Sequence, residues 1–232
     1  LVSFDHRSVM ERKNPIGAVQ AFRRAFPDGR ARLVVKTMNA VEQPAAAAQL
    51  RAAIGADERI TIVDDCLSRD EHVGLLASVD ALVSLHRSEG LGLHLAEAMW
   101  LGVPVIATGY SGNLDFMDES CAVLVDHSLV PVEFGGGAYD GEAVWAEPDV
   151  DQAAEAMQVL LANPERCCDL AAAGRRRMER QPDRATAGRA MAALLEGPLS
   201  AGNGARDTPT RRWRRGRGPL ATRATTSTVE DR

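Results

Sequence analysis

Apolar residues along the chain fall into short continuous runs, and between the runs they recur at helical spacing. The runs at 2–4, 32–37, 60–63, 80–85, 103–108 and 122–125 are rich in Val, Ile and Leu and end in polar or glycine-containing turns. Short runs of this kind read as strands buried on both faces. Helical spacing predicts helices over 15–26, 45–54, 68–78, 91–101, 149–161, 164–180 and 183–195. Pro15 suits a first helical turn. Ser68 with Glu71 three residues on reads as a capping box, and Gly55, Gly102 and Pro104 read as stops. Strand and helix alternate throughout the first 125 residues, so the pattern predicts an α/β fold with a doubly wound parallel sheet.

The stretch from Asp80 to Asn113, DALVSLHRSEGLGLHLAEAMWLGVPVIATGYSGN, is the centre of this reading. It is a strand, a helix and a strand, so its two polar turns lie at the carboxyl ends of neighbouring parallel strands, where open α/β sheets place ligands. Leu91, Leu93, Leu95, Ala96, Ala98, Met99, Trp100 and Leu101 cover nearly the whole circumference of the helix. A helix apolar all round is expected to be buried. Glu97 in its middle then needs a partner, because an unpaired buried carboxylate is costly. That partner is either an arginine or backbone amide of the protein, or a ligand with paired hydroxyls. Glu89 lies eight residues earlier, roughly 12 Å along a helical axis. Between them, Gly90, Leu91 and Gly92 open the helix with free amides and the positive end of its dipole, suited to an anion.

Other polar positions carry weaker signals. Arg7, Arg12 and Lys13 stand in a polar turn between the first strand and the helix at Pro15, which suits either a diphosphate or plain solvation. Lys36 reads as a strand-end charge. Asp64 and Asp65 are too few for a metal site and read as a base-contacting or solvated loop. His86 at a strand end is more often structural than catalytic. The span from Val130 to Trp145, with Gly135, Gly136 and Gly137, lacks periodicity and reads as a loop over the site.

The run Glu89-GLGLHLA-Glu97, with SLHRS before it and AMWLGVPVIATGYSGNLDF after it, resembles the retaining glycosyltransferases of family 4. DHRSVMERKNP near the start and WAEPDVDQAA later extend the likeness. The resemblance implies the Rossmann-like carboxyl-terminal lobe of a GT-B fold, which binds a GDP- or UDP-linked sugar and needs no separate cofactor or metal. It implies that Glu97 holds the ribose hydroxyls and Glu89 those of the donor sugar. The amides of Gly90, Leu91 and Gly92 would lie against sugar and diphosphate. Lys13 first and Arg12 second would meet the diphosphate charge, the Gly-Arg pair common in relatives being absent. Ser111, Gly112 and Asn113 would face the phosphates, and His86 the sugar or phosphate. Leu91 replaces a Phe frequent in relatives.

Composition limits what else the chain can be. At 232 residues and 45% hydrophobic, it suits one substantial domain, read as 1–197, followed by an Arg-rich tail, 198–232, expected to be disordered. Residues 201–232 hold 8 Arg and 3 acids, a net of +5, so the chain's −5 leaves −10 on residues 1–200. An acidic body argues against a specific nucleic-acid partner. No apolar run reaches the ~20 residues of a membrane span. Four cysteines without metal-ligand spacing suit a reducing, cytoplasmic setting, with the inner membrane face as a peripheral location. The expected activity is transfer of a hexose from a nucleotide sugar to an alcohol acceptor, a cell-surface glycan or a lipid-linked one. The acceptor lobe would be a further part. The alternatives are a noncatalytic nucleotide-sugar-binding module and half of a nucleotide-sugar epimerase.

Overall fold

The computed structural model describes residues 1–132 and 143–196. Six parallel strands form the centre: β1 (Val2–Ser3), β2 (Leu33–Thr37), β3 (Ile60–Asp64), β4 (Leu82–Ser84), β5 (Val105–Thr108) and β6 (Val123–Val125). They pair as β1–β2–β3 and β4–β5–β6. The Val83 amide bonds the Leu1 carbonyl at 2.8 Å and sets β4 beside β1. The lateral order is therefore 3-2-1-4-5-6, that of a doubly wound sheet.

Alternation along the strands divides the core between the two faces. Val35, Val83, Leu85 and Ile106 point to one side, against α2 (Pro15–Ala25), α3 (Pro44–Ile54) and α6 (Val150–Ala162). Leu82, Val105 and Ala107 point to the other, with Leu76 of α4 (Arg69–Ala77) and Leu95, Ala98 and Met99 of α5 (Leu93–Trp100). The connection after β1 goes to the first face and that after β4 to the second. A crevice opens between such strands at their carboxyl ends. Helix α7 (Pro164–Glu179) gives Leu170 to one core and Met178 to the other.

Three expectations are corrected. The basic turn before Pro15 contains a helical turn, α1 (Met10–Lys13), which ends at Asn14 in the left-handed conformation, φ 50°. The aperiodic span after Val125 begins and ends in an antiparallel hairpin, β7 (His127–Pro131) with β8 (Val144–Pro148). Its strand residues include Val130 and Trp145, and the glycine run lies outside the described residues. Helix α5 is also buried on one face only: Leu93 and Trp100, with Leu91 just before the helix, are exposed, as is Glu97. The chain divides after Pro182. In the second unit the described residues carry one helix, α8 (Arg184–Glu196), and the Arg-rich tail lies outside them. No helix among the described residues is long and apolar enough to cross a membrane.

Candidate functional site

The site begins with the chain's passage from α1 to α2. Asn14 accepts from the Gly17 amide at 3.0 Å and caps α2, while Pro15 occupies the first turn. This junction fixes Lys13 at the mouth of the crevice between β1 and β4. There the Lys13 amine bonds the carboxylate of Glu89, 76 residues away. Arg12 donates to the Ser88 carbonyl at 2.8 Å and lies 4.0 Å from Glu89. The structure thus brings Lys13, Arg12 and Glu89 together. Burial pushes the Glu89 carboxyl upward, but the Lys13 hydrogen bond and charge, His94 and Arg12 outweigh it, leaving it below the usual range.

The two turns at the ends of β4 and β5 lock onto each other. The Glu89 amide donates to Ser111 Oγ at 2.8 Å, and the Gly112 amide donates to the Glu89 carbonyl at 3.0 Å. Ser111 sits at φ 74°, ψ −148°, backbone space that is nearly reserved for glycine. Its hydroxyl holds it there, donating to the Tyr110 carbonyl at 2.6 Å.

His86 and Asn113 lie beneath this lock, both 0% exposed. Asn113 Nδ2 donates to the Thr108 carbonyl at 3.1 Å, so its Oδ1 faces His86 Nε2, also at 3.1 Å. The Tyr110 carbonyl faces the same nitrogen at 3.2 Å, which makes it the protonated one, and Ser84 Oγ serves Nδ1 at 3.0 Å. Both side chains, read from sequence as donor contacts, instead tie the ends of β4 and β5 together, because their polar atoms are already matched.

Helix α5 starts at Gly92, which has φ 86° and no capping side chain. Its carbonyl takes the amides of Leu95 and Ala96, and the Gly90 amide meets Glu89 Oε1 at 3.1 Å. Among the described residues the amides of Leu91, Gly92, Leu93 and His94 have no acceptor. Four successive unpaired amides at a helix start, beside Lys13 and Arg12, form an anion cradle.

Glu97 stands one turn further along α5. Its carboxylate is half exposed and meets His72 Nε2 of α4 at 3.1 Å. The apolar run around α5 suggested burial, but the sheet covers only the face of Leu95, Ala98 and Met99.

Sequence reasoning missed three residues. Arg87 donates to Glu147 at 2.6 and 2.9 Å and to the Glu11 carbonyl at 2.7 Å, and lies over the Trp145 ring. It thereby joins α1, the turn after β4 and β8; its place beside His86 in that turn was the available signal. Lys36, read as a strand-end charge, is 2% exposed and donates to the carbonyls of Thr37 and Asp65, both at 2.6 Å. His94 is the third, and its place in the first turn of α5 was legible.

Burial and then the Lys13 cation push the His94 imidazole down to about 3, as a helix start also does. The unfolded chain then binds this proton near pH 6.5 and the folded one does not, so His94 lowers stability as pH falls from 6.5 toward 3. Between pH 6.5 and 5 this amounts to as much as ~2 kcal/mol. His94→Gln is expected to lose roughly 4 °C less than the parent over that interval in thermal melting; equal losses would show that the ring is not held neutral.

A family model described as family 4 glycosyltransferase in conflict systems matches residues 10–191. Anabaena Alr3699/HepE, solved in complex with UDP and glucose, is 16% identical with a TM-score of 0.63, over 85% of this chain and 48% of that one. WaaG, a glycosyltransferase involved in lipopolysaccharide biosynthesis, is 18% identical with a TM-score of 0.56, over 85% and 47%. The C-terminal domain of a glycosyl transferase group 1 family protein (LpcC) from Francisella tularensis is 18% identical with a TM-score of 0.55, over 78% and 84%. The chain thus has the fold of a GT-B Rossmann-like lobe and spans about half the length of the HepE and WaaG chains. No curated protein matches its sequence. With the family match spanning most of its length, the chain belongs to the family 4 glycosyltransferases of conflict systems.

Proposed function

We propose that the crevice between β1 and β4 binds a nucleotide diphosphate sugar, and that the chain is the carboxyl-terminal donor lobe of a retaining hexosyltransferase. The observation that carries this reading is the uncapped start of α5, where four unpaired amides stand beside Lys13 and Arg12. Such a cradle suits a diphosphate. Glu89, released from Lys13 as phosphate takes the amine, accepts from hydroxyls of the donor sugar. Glu97 accepts from the ribose diol.

In the proposed reaction an acceptor hydroxyl attacks the anomeric carbon on the face from which the diphosphate leaves. The bond from that carbon to the phosphate oxygen breaks, the new glycosidic bond forms, and the hydroxyl proton passes to the departing oxygen. Lys13, Arg12 and the amides stabilise the charge that develops there. The acceptor, a cell-surface glycan or lipid-linked alcohol, would dock largely on a further lobe.

The test is titration of the chain with UDP-glucose, GDP-mannose and related donors. The HepE complex holds UDP and glucose, so UDP-glucose heads the panel. Glu97→Ala is expected to weaken binding about tenfold, the loss of a charge-assisted pair of hydrogen bonds. Unchanged affinity would remove Glu97 from the site. The rival reading is a module that binds a nucleotide sugar without transferring it. Binding with neither hydrolysis nor transfer, even when an acceptor lobe is supplied, would select that module.

A further inference from the structure

Helix α4 places a histidine where the proposed donor site needs a fixed carboxylate. Ser68 and Glu71 form a capping box at its start, with the Ser68 amide on Glu71 Oε2 at 2.8 Å and the Glu71 amide on Ser68 Oγ at 3.3 Å. The His72 amide bonds the Ser68 carbonyl at 2.9 Å, so the ring stands on the capped first turn of the helix. One turn on, Leu76 is fully buried in the same core as Leu95, Ala98 and Met99 of α5. The core thus sets the spacing of the two helices. Across their outer faces His72 Nε2 meets Glu97 Oε2 at 3.1 Å.

A pair this exposed, with side chains 29% and 50% accessible, adds little to stability. Its effect falls on geometry. An unrestrained Glu side chain on a helix surface samples many rotamers, whereas a ribose diol requires one orientation of the carboxylate plane. The ring fixes that orientation through Oε2 alone. Oε1 and the second lone pair of Oε2 stay free for two hydroxyls. No other side chain among the described residues bonds Glu97.

We infer that His72 is a positioning residue that pre-orients Glu97 for the ribose of the nucleotide. This rests on the donor-site reading above, and the experiment separates the two. UDP, GDP and their 2′,3′-dideoxy counterparts are titrated into the parent chain, Glu97→Ala, His72→Ala and His72→Gln, the last carrying an amide nitrogen at the reach of Nε2. His72→Ala is expected to weaken ribonucleotide binding about 3- to 10-fold, the cost of ordering a free side chain on binding. The same change should have no effect on the 2′,3′-dideoxynucleotides, which lack the diol, His72→Gln should restore most of the loss, and melting temperatures should stay together. If Glu97→Ala has no effect, or neither nucleotide binds, the donor-site reading fails and this inference with it. If Glu97→Ala weakens binding while His72→Ala does not, or weakens both sugar types alike, the inference alone is overturned.

Discussion

Replacing Lys13 with methionine is expected to lower transfer, measured as kcat/KM with a reconstituted acceptor lobe, by about 100-fold or more. That is the usual consequence of removing one preorganised group facing developing charge. In the free protein the amine is matched to Glu89, whose side chain is 10% exposed. Methionine keeps most of the volume and leaves the carboxylate without its main partner. A fully buried pair broken in this way costs about 3–5 kcal/mol. Here Arg12 remains 4.0 Å away, so a loss of about 1–3 kcal/mol is expected in chemical denaturation. Lys13→Arg keeps the charge but replaces a compact ammonium with a planar fork, so it is expected to restore stability more than transfer. Full transfer by Lys13→Met would remove the amine from the chemistry, whatever happens to stability.

The second large effect belongs to Gly112. A Cβ added there would lie 1.9 Å from the Gly90 carbonyl oxygen, 2.5 Å from its carbon and 3.0 Å from the Glu89 carbonyl oxygen. All three neighbours are backbone, so no side chain can rotate away. Relief requires the two turns to part, which breaks the Gly112–Glu89 bond and strains the Ser111–Glu89 contact. Gly112→Ala is expected to cost about 3 kcal/mol or more. In a domain of this size that lowers the melting temperature by roughly 6–12 °C. Donor affinity should fall with it, since parting the turns shifts Glu89 and the start of α5 together. A variant that melts with the parent would show that the two turns are not locked.

Helix α5 shows how far a one-dimensional pattern reaches. Its existence, its opening within Gly90-Leu91-Gly92 and the position of Glu89 just before it were legible, because glycine chemistry and hydrophobic period are local. Its exposed face was not. Leu93 and Trp100 are apolar yet 68% and 54% exposed, so counting greasy positions overstated burial and placed Glu97 inside. His86 and Asn113 are the opposite case. The family resemblance implies ligand contacts for both, whereas their own hydrogen bonds satisfy each other across 27 positions. The hairpin β7–β8 escaped notice because the flanking residues are short and irregular in pattern.

The sequence by itself determined the alternation of strand and helix, hence the doubly wound sheet, and the set of charged and glycine residues that gather at its carboxyl edge. These depend on periodicity and turn chemistry, which act over a few residues. Tertiary structure decided which of those residues meet: Lys13 with Glu89 across 76 positions and His72 with Glu97 across 25. It also decided that Glu97 faces outward. The Lys13–Glu89 pairing arises only when β1 and β4 lie side by side with their connections leaving to opposite faces, and the His72–Glu97 pairing only when α4 and α5 pack on one face. Both are fixed by burial of the whole sheet rather than by any local stretch of chain.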